Sequence, residues 1–131
     1  MELETRGITK PRILIVDDLK FMRDIIRDVL ESNGFTVAGE AQNGREGYEV
    51  YNRLRPDAVL MDITMPELDG IESLKIIRKE HPSACIIMCS ALGEQEYILK
   101  AITFGARDFI VKPFRPERII SALGKALRIH G

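Results

Sequence analysis

The sequence has no excess of charge of either sign: 19 lysines and arginines stand against 20 aspartates and glutamates, a formal net charge of -1. A bulk electrostatic pull toward nucleic acid or an anionic membrane is thereby excluded, and partners must be recognised by local surface. Cysteine is scarce. Cys85 and Cys89 are the only two, and both sit inside an apolar run. Four residues apart on a strand, they would share a face yet stand too far apart to bridge, and with no nearby pair they make no zinc tetrahedron. They are expected to be reduced core thiols of a cytoplasmic protein. No window approaches the about 20 apolar residues of a membrane-spanning helix, so no membrane insertion is expected, and Met1 to Lys10 lacks the apolar stretch of a signal peptide. Internal repeats, low-complexity tracts and Gly/Ser linkers are also missing. The 131 residues therefore read as one domain without an attached effector, and 45% hydrophobic residues supply its core.

Five short apolar runs are present: Ile13 to Val16, Phe35 to Ala38, Ala58 to Met61, Cys85 to Cys89 and Phe109 to Val111. Four are apolar nearly throughout rather than alternating, as parallel strands buried on both faces must be. The segments between them carry helical spacing. Phe21, Met22, Ile25, Ile26, Val29 and Leu30 form a stripe ended by Asn33-Gly34, which suits a left-handed cap. Tyr48, Val50, Tyr51 and Leu54 form a weaker stripe, interrupted by Gly47 and stopped by Pro56. Ile71, Leu74 and Ile77 define a third helix bounded by His81-Pro82, Tyr97 to Phe104 with Gly105 a fourth, and Glu117 to Ile129 a fifth. Strict alternation of strand and helix predicts an α/β doubly wound sheet of five parallel strands with five helices.

In such a sheet, ligands bind beyond the carboxyl ends of the strands. Every informative end is polar: Asp17-Asp18 after strand one, Asp62 after strand three, Ser90 after strand four, Lys112-Pro113 after strand five. Asp18 or Ser90 alone would read as a helix cap. Three carboxylates brought together repel by roughly 4 kcal/mol per pair at 4 Å and an effective dielectric of 20, so the cluster calls for a cation beyond Lys112. Mg2+ suits it, because it prefers oxygen ligands and is usually held by one or two carboxylates plus phosphate oxygens. An aspartate beside Mg2+ and a lysine is a phosphoryl acceptor in waiting. Asp62, alone at its strand end, is the expected nucleophile; Asp17 and Asp18 come as a pair suited to metal, while Ser90 and Lys112 would bind phosphoryl oxygens.

The stretches Ile13 to Asp18 (ILIVDD), Met61 to Glu67 (MDITMPE) with Asp69-Gly70, Ser90-Ala91, and Asp108 to Phe114 (DFIVKPF) resemble the response-regulator receiver family. The likeness is closest to stand-alone chemotaxis receivers of the CheY type. It implies a flavodoxin-like sheet of order 2-1-3-4-5, an N-terminal extension over 1–11 and a receiver domain over 12–131. It further implies Asp62 as phosphoacceptor, Mg2+ on Asp17, Asp18, Asp62 and the backbone carbonyl of Thr64, and Ser90 and Lys112 on the phosphoryl group. A cis Lys112–Pro113 bond is implied as well. Phe109 matches the family's aromatic switch, expected to turn inward as Ser90 moves and so to alter the face of helix four, strand five and helix five. Partners by resemblance are a histidine kinase as phosphodonor, a downstream target on that face and a phosphatase, with the chain monomeric and not itself a turnover enzyme. The flanking positions that tune phosphoryl lifetime are Thr64 and Leu92 here, and Leu92 cannot orient a water by hydrogen bonding.

Three rival readings differ in what they need. A receiver fragment of a transcription regulator shares the chemistry. An aspartate-nucleophile phosphatase would place a second Asp two residues after the nucleophile, where this chain has Thr64. A flavodoxin-like cofactor binder is disfavoured, since Asp17-Asp18 would put carboxylates where phosphate must sit. His81 and His130 are expected to be solvated, and Met22, Met61, Met65 and Met88 to pack in core or loop.

Overall fold

A computed structural model describes residues 10–128. Its elements are β1 (Arg12–Val16), α1 (Lys20–Glu31), β2 (Thr36–Ala41), α2 (Gly44–Leu54), β3 (Ala58–Met61), α3 (Gly70–Glu80), β4 (Ile86–Ser90), α4 (Gln95–Thr103), β5 (Asp108–Val111) and α5 (Pro116–Ala126). All strand pairs are parallel, in the order β2-β1-β3-β4-β5. The expected doubly wound sheet and strand order are thus what the chain adopts.

Because side chains alternate along a strand, each apolar run feeds two cores. Leu14, Val16, Val59, Met61, Ile86 and Met88 meet α2, α3 and α4 through Val50, Leu74, Ile77 and Ala101. Ile13, Ile15, Leu60, Ile87 and Ile110 meet α1 and α5 through Ile26, Leu30, Ile119 and Leu123. Cys85 and Cys89 belong to this second core and are free thiols. Burial pushes the Cys89 thiol up to about 12, outweighing the nearby Lys112 charge, so it is inert at neutral pH.

Several boundaries differ from the sequence reading. β2 spans Thr36–Ala41 rather than Phe35 to Ala38, with an irregularity in its pairing between Ile13 and Leu14. This edge strand is held by backbone pairing and by a polar clasp. Glu40 accepts hydrogen bonds from Arg23 Nε at 2.8 Å and from Arg27 Nη2 at 2.6 Å. Burial acts most strongly on the Glu40 carboxyl and raises its pKa, yet the hydrogen bonds and charges of Arg27 and Arg23 together hold it below the usual range. A depressed carboxyl stabilises above its unfolded pKa and loses that stabilisation as pH falls through the folded one. Glu40→Gln should therefore cost about 1 kcal/mol at neutral pH. In urea titrations repeated down the acid range, the deficit should close below the ordinary carboxyl pKa.

The gap in the α2 stripe has a packing reason. A Cβ on Gly47 would stand 3.1 and 3.2 Å from the Val16 methyls, so the glycine is where this helix presses against β1. α5 ends at Ala126 rather than Ile129, as Arg128 adopts a left-handed conformation (φ 57); Ile129 itself lies outside the described residues, as do 1–9 of the expected 1–11 extension. Gly34 (φ 87) and Gly105 (φ 103) take the left-handed positions after α1 and α4. His81 is not simply solvated: its Nε2 lies 2.7 Å from Asn52 Oδ1 and its ring 5.1 Å from that of Tyr51, joining α2 to the end of α3.

Candidate functional site

The order β1-β3-β4-β5 sets four strand ends side by side, and the ladder continues one residue beyond the strands. The Asp62 N–H donates to Val16 O at 2.9 Å and the Lys112 N–H to Ser90 O at 2.9 Å. Asp17, Asp62, Ser90 and Lys112 are brought together by this register. Carboxylate oxygens of Asp17, Asp18 and Asp62 all lie within 4.8 Å of one another. Lys112 Nζ stands 2.6 Å from Asp17 Oδ2 and 3.6 Å from Asp62 Oδ2. The Lys112–Pro113 bond is cis.

Asp17, Asp62 and Ser90 are buried, whereas Asp18 is exposed. Neither cap reading survives. The N-cap of α1 is Leu19, without a side-chain cap, and the Leu19 N–H donates instead to Asp17 Oδ1 at 3.0 Å. Ser90 sits five residues before α4, its Oγ accepting from the Leu92 N–H at 3.2 Å, which leaves its hydroxyl proton to donate elsewhere.

Asp62 Oδ1 accepts the N–H of Ile63 at 2.7 Å. Burial is the strongest influence on this carboxyl and raises its pKa, with Asp17 adding to the rise, against Lys112, Ser90 and the Ile63 N–H. Burial likewise acts first on Lys112 and lowers its pKa, but the hydrogen bond to Asp17 and the charges of Asp62 and Asp17 reverse this and raise it overall. The lysine is thus cationic at neutral pH, while the negative oxygens remain under strain from one another. Three hard oxygen donors with one short cation at their side fit a hard divalent ion.

The loop after Asp62 is fixed by contacts that the sequence reading missed. The Gly70 N–H donates to Ile63 O at 2.8 Å, the Gly44 N–H to Leu68 O at 2.8 Å, and the buried Ser73 Oγ to Gly44 O at 2.8 Å. Asn43 caps α2 by accepting from the Glu46 N–H at 2.8 Å and also donates to Glu67 at 3.3 Å. The local signal is Asp69-Gly70, where Asp69 caps α3 by accepting from the Glu72 N–H. Thr64 is exposed on this loop. Phe109 is buried, opposite Met88 in the β4–β5 register, so its ring already points into the core that includes Ala101 and Ala106. Leu92 packs beside that core with Tyr97 and Ile98.

Residues 13–124 match the response regulator receiver domain. The chain belongs to this family. The receiver is 55% identical to the chemotaxis protein CheY of Thermotoga maritima over 87% of its own length and 95% of that protein's. To CheY of Bacillus subtilis it is 54% identical, over 88% and 97% of the two chains. Among solved structures, the CheX-CheY-BeF3-Mg2+ complex of Borrelia burgdorferi superposes with a TM-score of 0.89 at 32% identity, covering 92% of each chain. The response regulator domain of Thermotoga maritima CheB gives 0.85 at 35% identity, over 93% of this receiver and 99% of that domain. Among the described residues, no helix of the receiver is long and apolar enough to cross a membrane.

Proposed function

We propose that this receiver takes a phosphoryl group onto Asp62 from a phosphohistidine of a histidine kinase and relays a chemotaxis signal. The observation that carries this reading is the meeting of three carboxylates within 4.8 Å beside the Lys112 ammonium. Likeness to CheY proteins across nearly their whole length supports the pathway, and it disfavours a turnover phosphatase, as does Thr64 at the place of that family's second aspartate.

An Asp62 carboxylate oxygen attacks phosphorus as the phosphorus–nitrogen bond to the donor imidazole breaks. The electron pair stays on that nitrogen, which takes a proton from solvent. Lys112, now 2.6 Å from Asp17, is near enough to exchange that partner for a phosphoryl oxygen, and the Ser90 hydroxyl has its proton available for another. Asp17, Asp18, Asp62 and the Thr64 carbonyl would hold Mg2+, which when bound offsets charge on the phosphoryl oxygens. The output face is α4, β5 and α5, where Ile102 and Val111 are exposed. Since Phe109 is already buried, movement of Ser90 would act on this face through the β4–α4 loop and Leu92 more than through entry of the ring.

Incubation with acetyl phosphate and Mg2+ should raise the intact mass by one phosphoryl group, and Asp62→Asn should abolish the gain. An unchanged wild-type mass, or a variant that still gains the group, would refute the assignment.

A further inference from the structure

α3 begins against Asp62, and its 11 residues carry its last turn about 15 Å away. There, between α3 and α4, Lys75, Arg78, Lys79, Pro82, Thr103 and Phe104 line an open groove of about 390 Å³. Its cations are held rather than loosely solvated. The Arg78 guanidinium donates to the carbonyls of Pro82 and Ala84, the latter at 3.0 Å, and lies over Gly105, where a Cβ would stand 2.5 Å from Nε. It is thus fixed by neutral acceptors, and among the described residues no carboxylate forms an ion pair with it. Lys75 Nζ sits 4.3 Å from the centroid of the Phe104 ring. Its carboxylate partner, Glu72 at 3.1 Å, has a side chain 51% exposed. Lys79 is exposed, and Glu80, the next acidic residue, is turned toward α2 by the Tyr48 hydroxyl at 2.7 Å.

Cations in the last turn complement the helix carbonyls, which accounts for their sign but not for their neighbours. Phe104, the residue that follows α4, is exposed beside them, and an exposed apolar ring rimmed by charge marks an interaction surface. We propose that this groove docks a carboxylate-rich segment of a partner protein, whose acidic side chains pair with Lys75, Arg78 and Lys79 and whose single apolar side chain covers Phe104. Charge complementarity selects an acidic partner, and the exposed ring selects a peptide over a bare anion. The overall net charge of -1 disfavours a polyphosphate. The inference is independent of phosphoryl acceptance at the far end of α3.

The test is amide chemical-shift mapping on the full chain with the peptide acetyl-Glu-Asp-Leu-Glu-Asp-amide as probe. Shifts are expected at Lys75, Lys79 and Thr103 to Gly105. Lys75→Glu combined with Lys79→Glu should weaken binding about tenfold, and added salt should do the same. Phe104→Ala, or serine for the leucine of the probe, should weaken it about fivefold. All variants should remain folded, with a cooperative thermal transition, and keep their uptake of phosphate from acetyl phosphate. Shifts that are absent or map elsewhere would overturn the proposal, as would binding indifferent to these changes. So would inorganic phosphate or a DNA duplex producing the same shifts at the same concentration.

Discussion

Gly70→Ala is expected to destabilise the receiver by about 3 kcal/mol or more, in the range reserved for overpacking against atoms that cannot yield. A Cβ at this position would stand 1.9 Å from the backbone oxygen of Asp62 and 2.8 Å from its carbonyl carbon. Neither is the free end of a side chain, so either α3 must withdraw or the peptide after Asp62 must rotate. Both movements disturb the Gly70–Ile63 hydrogen bond and the aim of the Asp62 carboxylate. Mg2+ affinity should fall by about 10- to 100-fold, the usual cost of disturbing groups that support metal ligands. Gly34→Ala provides the contrast. Gly34 has open space around it and a φ of 87, so its replacement should cost about 1 kcal/mol of backbone strain and leave Mg2+ affinity unchanged. Urea unfolding and calorimetric Mg2+ titration of both variants would decide the matter; equal effects on Mg2+ would refute the proposed role of Gly70.

Asp62→Asn should do the opposite and stabilise the metal-free protein at neutral pH, by about 1–2 kcal/mol. That is a fraction of the roughly 4 kcal/mol of repulsion between two charges 4 Å apart at a dielectric of 20, because Lys112 offsets part of it. The amide can still accept the Ile63 N–H, so geometry is retained. Since burial raises the Asp62 pKa, its contribution is most favourable below the unfolded carboxyl pKa and is lost as pH rises through the folded one. The variant's advantage should therefore vanish in acid, grow upward from the ordinary carboxyl range, and then level off. Mg2+ should narrow it, because a ligand at about 100 times its Kd adds about 2.7 kcal/mol to the state that binds it, and the wild type binds better. Thermal melts across pH, with and without Mg2+, would show this; an asparagine variant less stable than wild type in metal-free neutral buffer would contradict it.

What the sequence made legible follows from how locally each feature is encoded. The buried strands announce themselves because both faces must be apolar, and polar residues at their ends could be assigned to one site because parallel order places those ends together. β2 extends beyond its apolar run, since Gly39 and Glu40 carry no strand pattern and are received by β1 and two arginines of α1. The α2 stripe is broken at Gly47, where a Cβ would press on the Val16 methyls at 3.1 and 3.2 Å. Asp18 and Ser90 have the composition of caps, but the chain turns so that neither caps a helix. Least legible was the lock formed by Gly44, Leu68, Ser73 and Gly70. It consists of two backbone hydrogen bonds and one from the Ser73 hydroxyl, tying the start of α2 to the loop before α3, which no periodicity records.

The ion pair between Lys112 and Asp17 spans 95 positions of the chain. It joins a residue after the first strand to one after the last, so an incomplete sheet lacking β5 would present its acidic end without the ammonium that pairs with Asp17 and Asp62. A truncated chain would then gather its aspartates without the lysine proposed to receive phosphoryl oxygens. On the proposed mechanism, chemical competence therefore arrives only with the final strand.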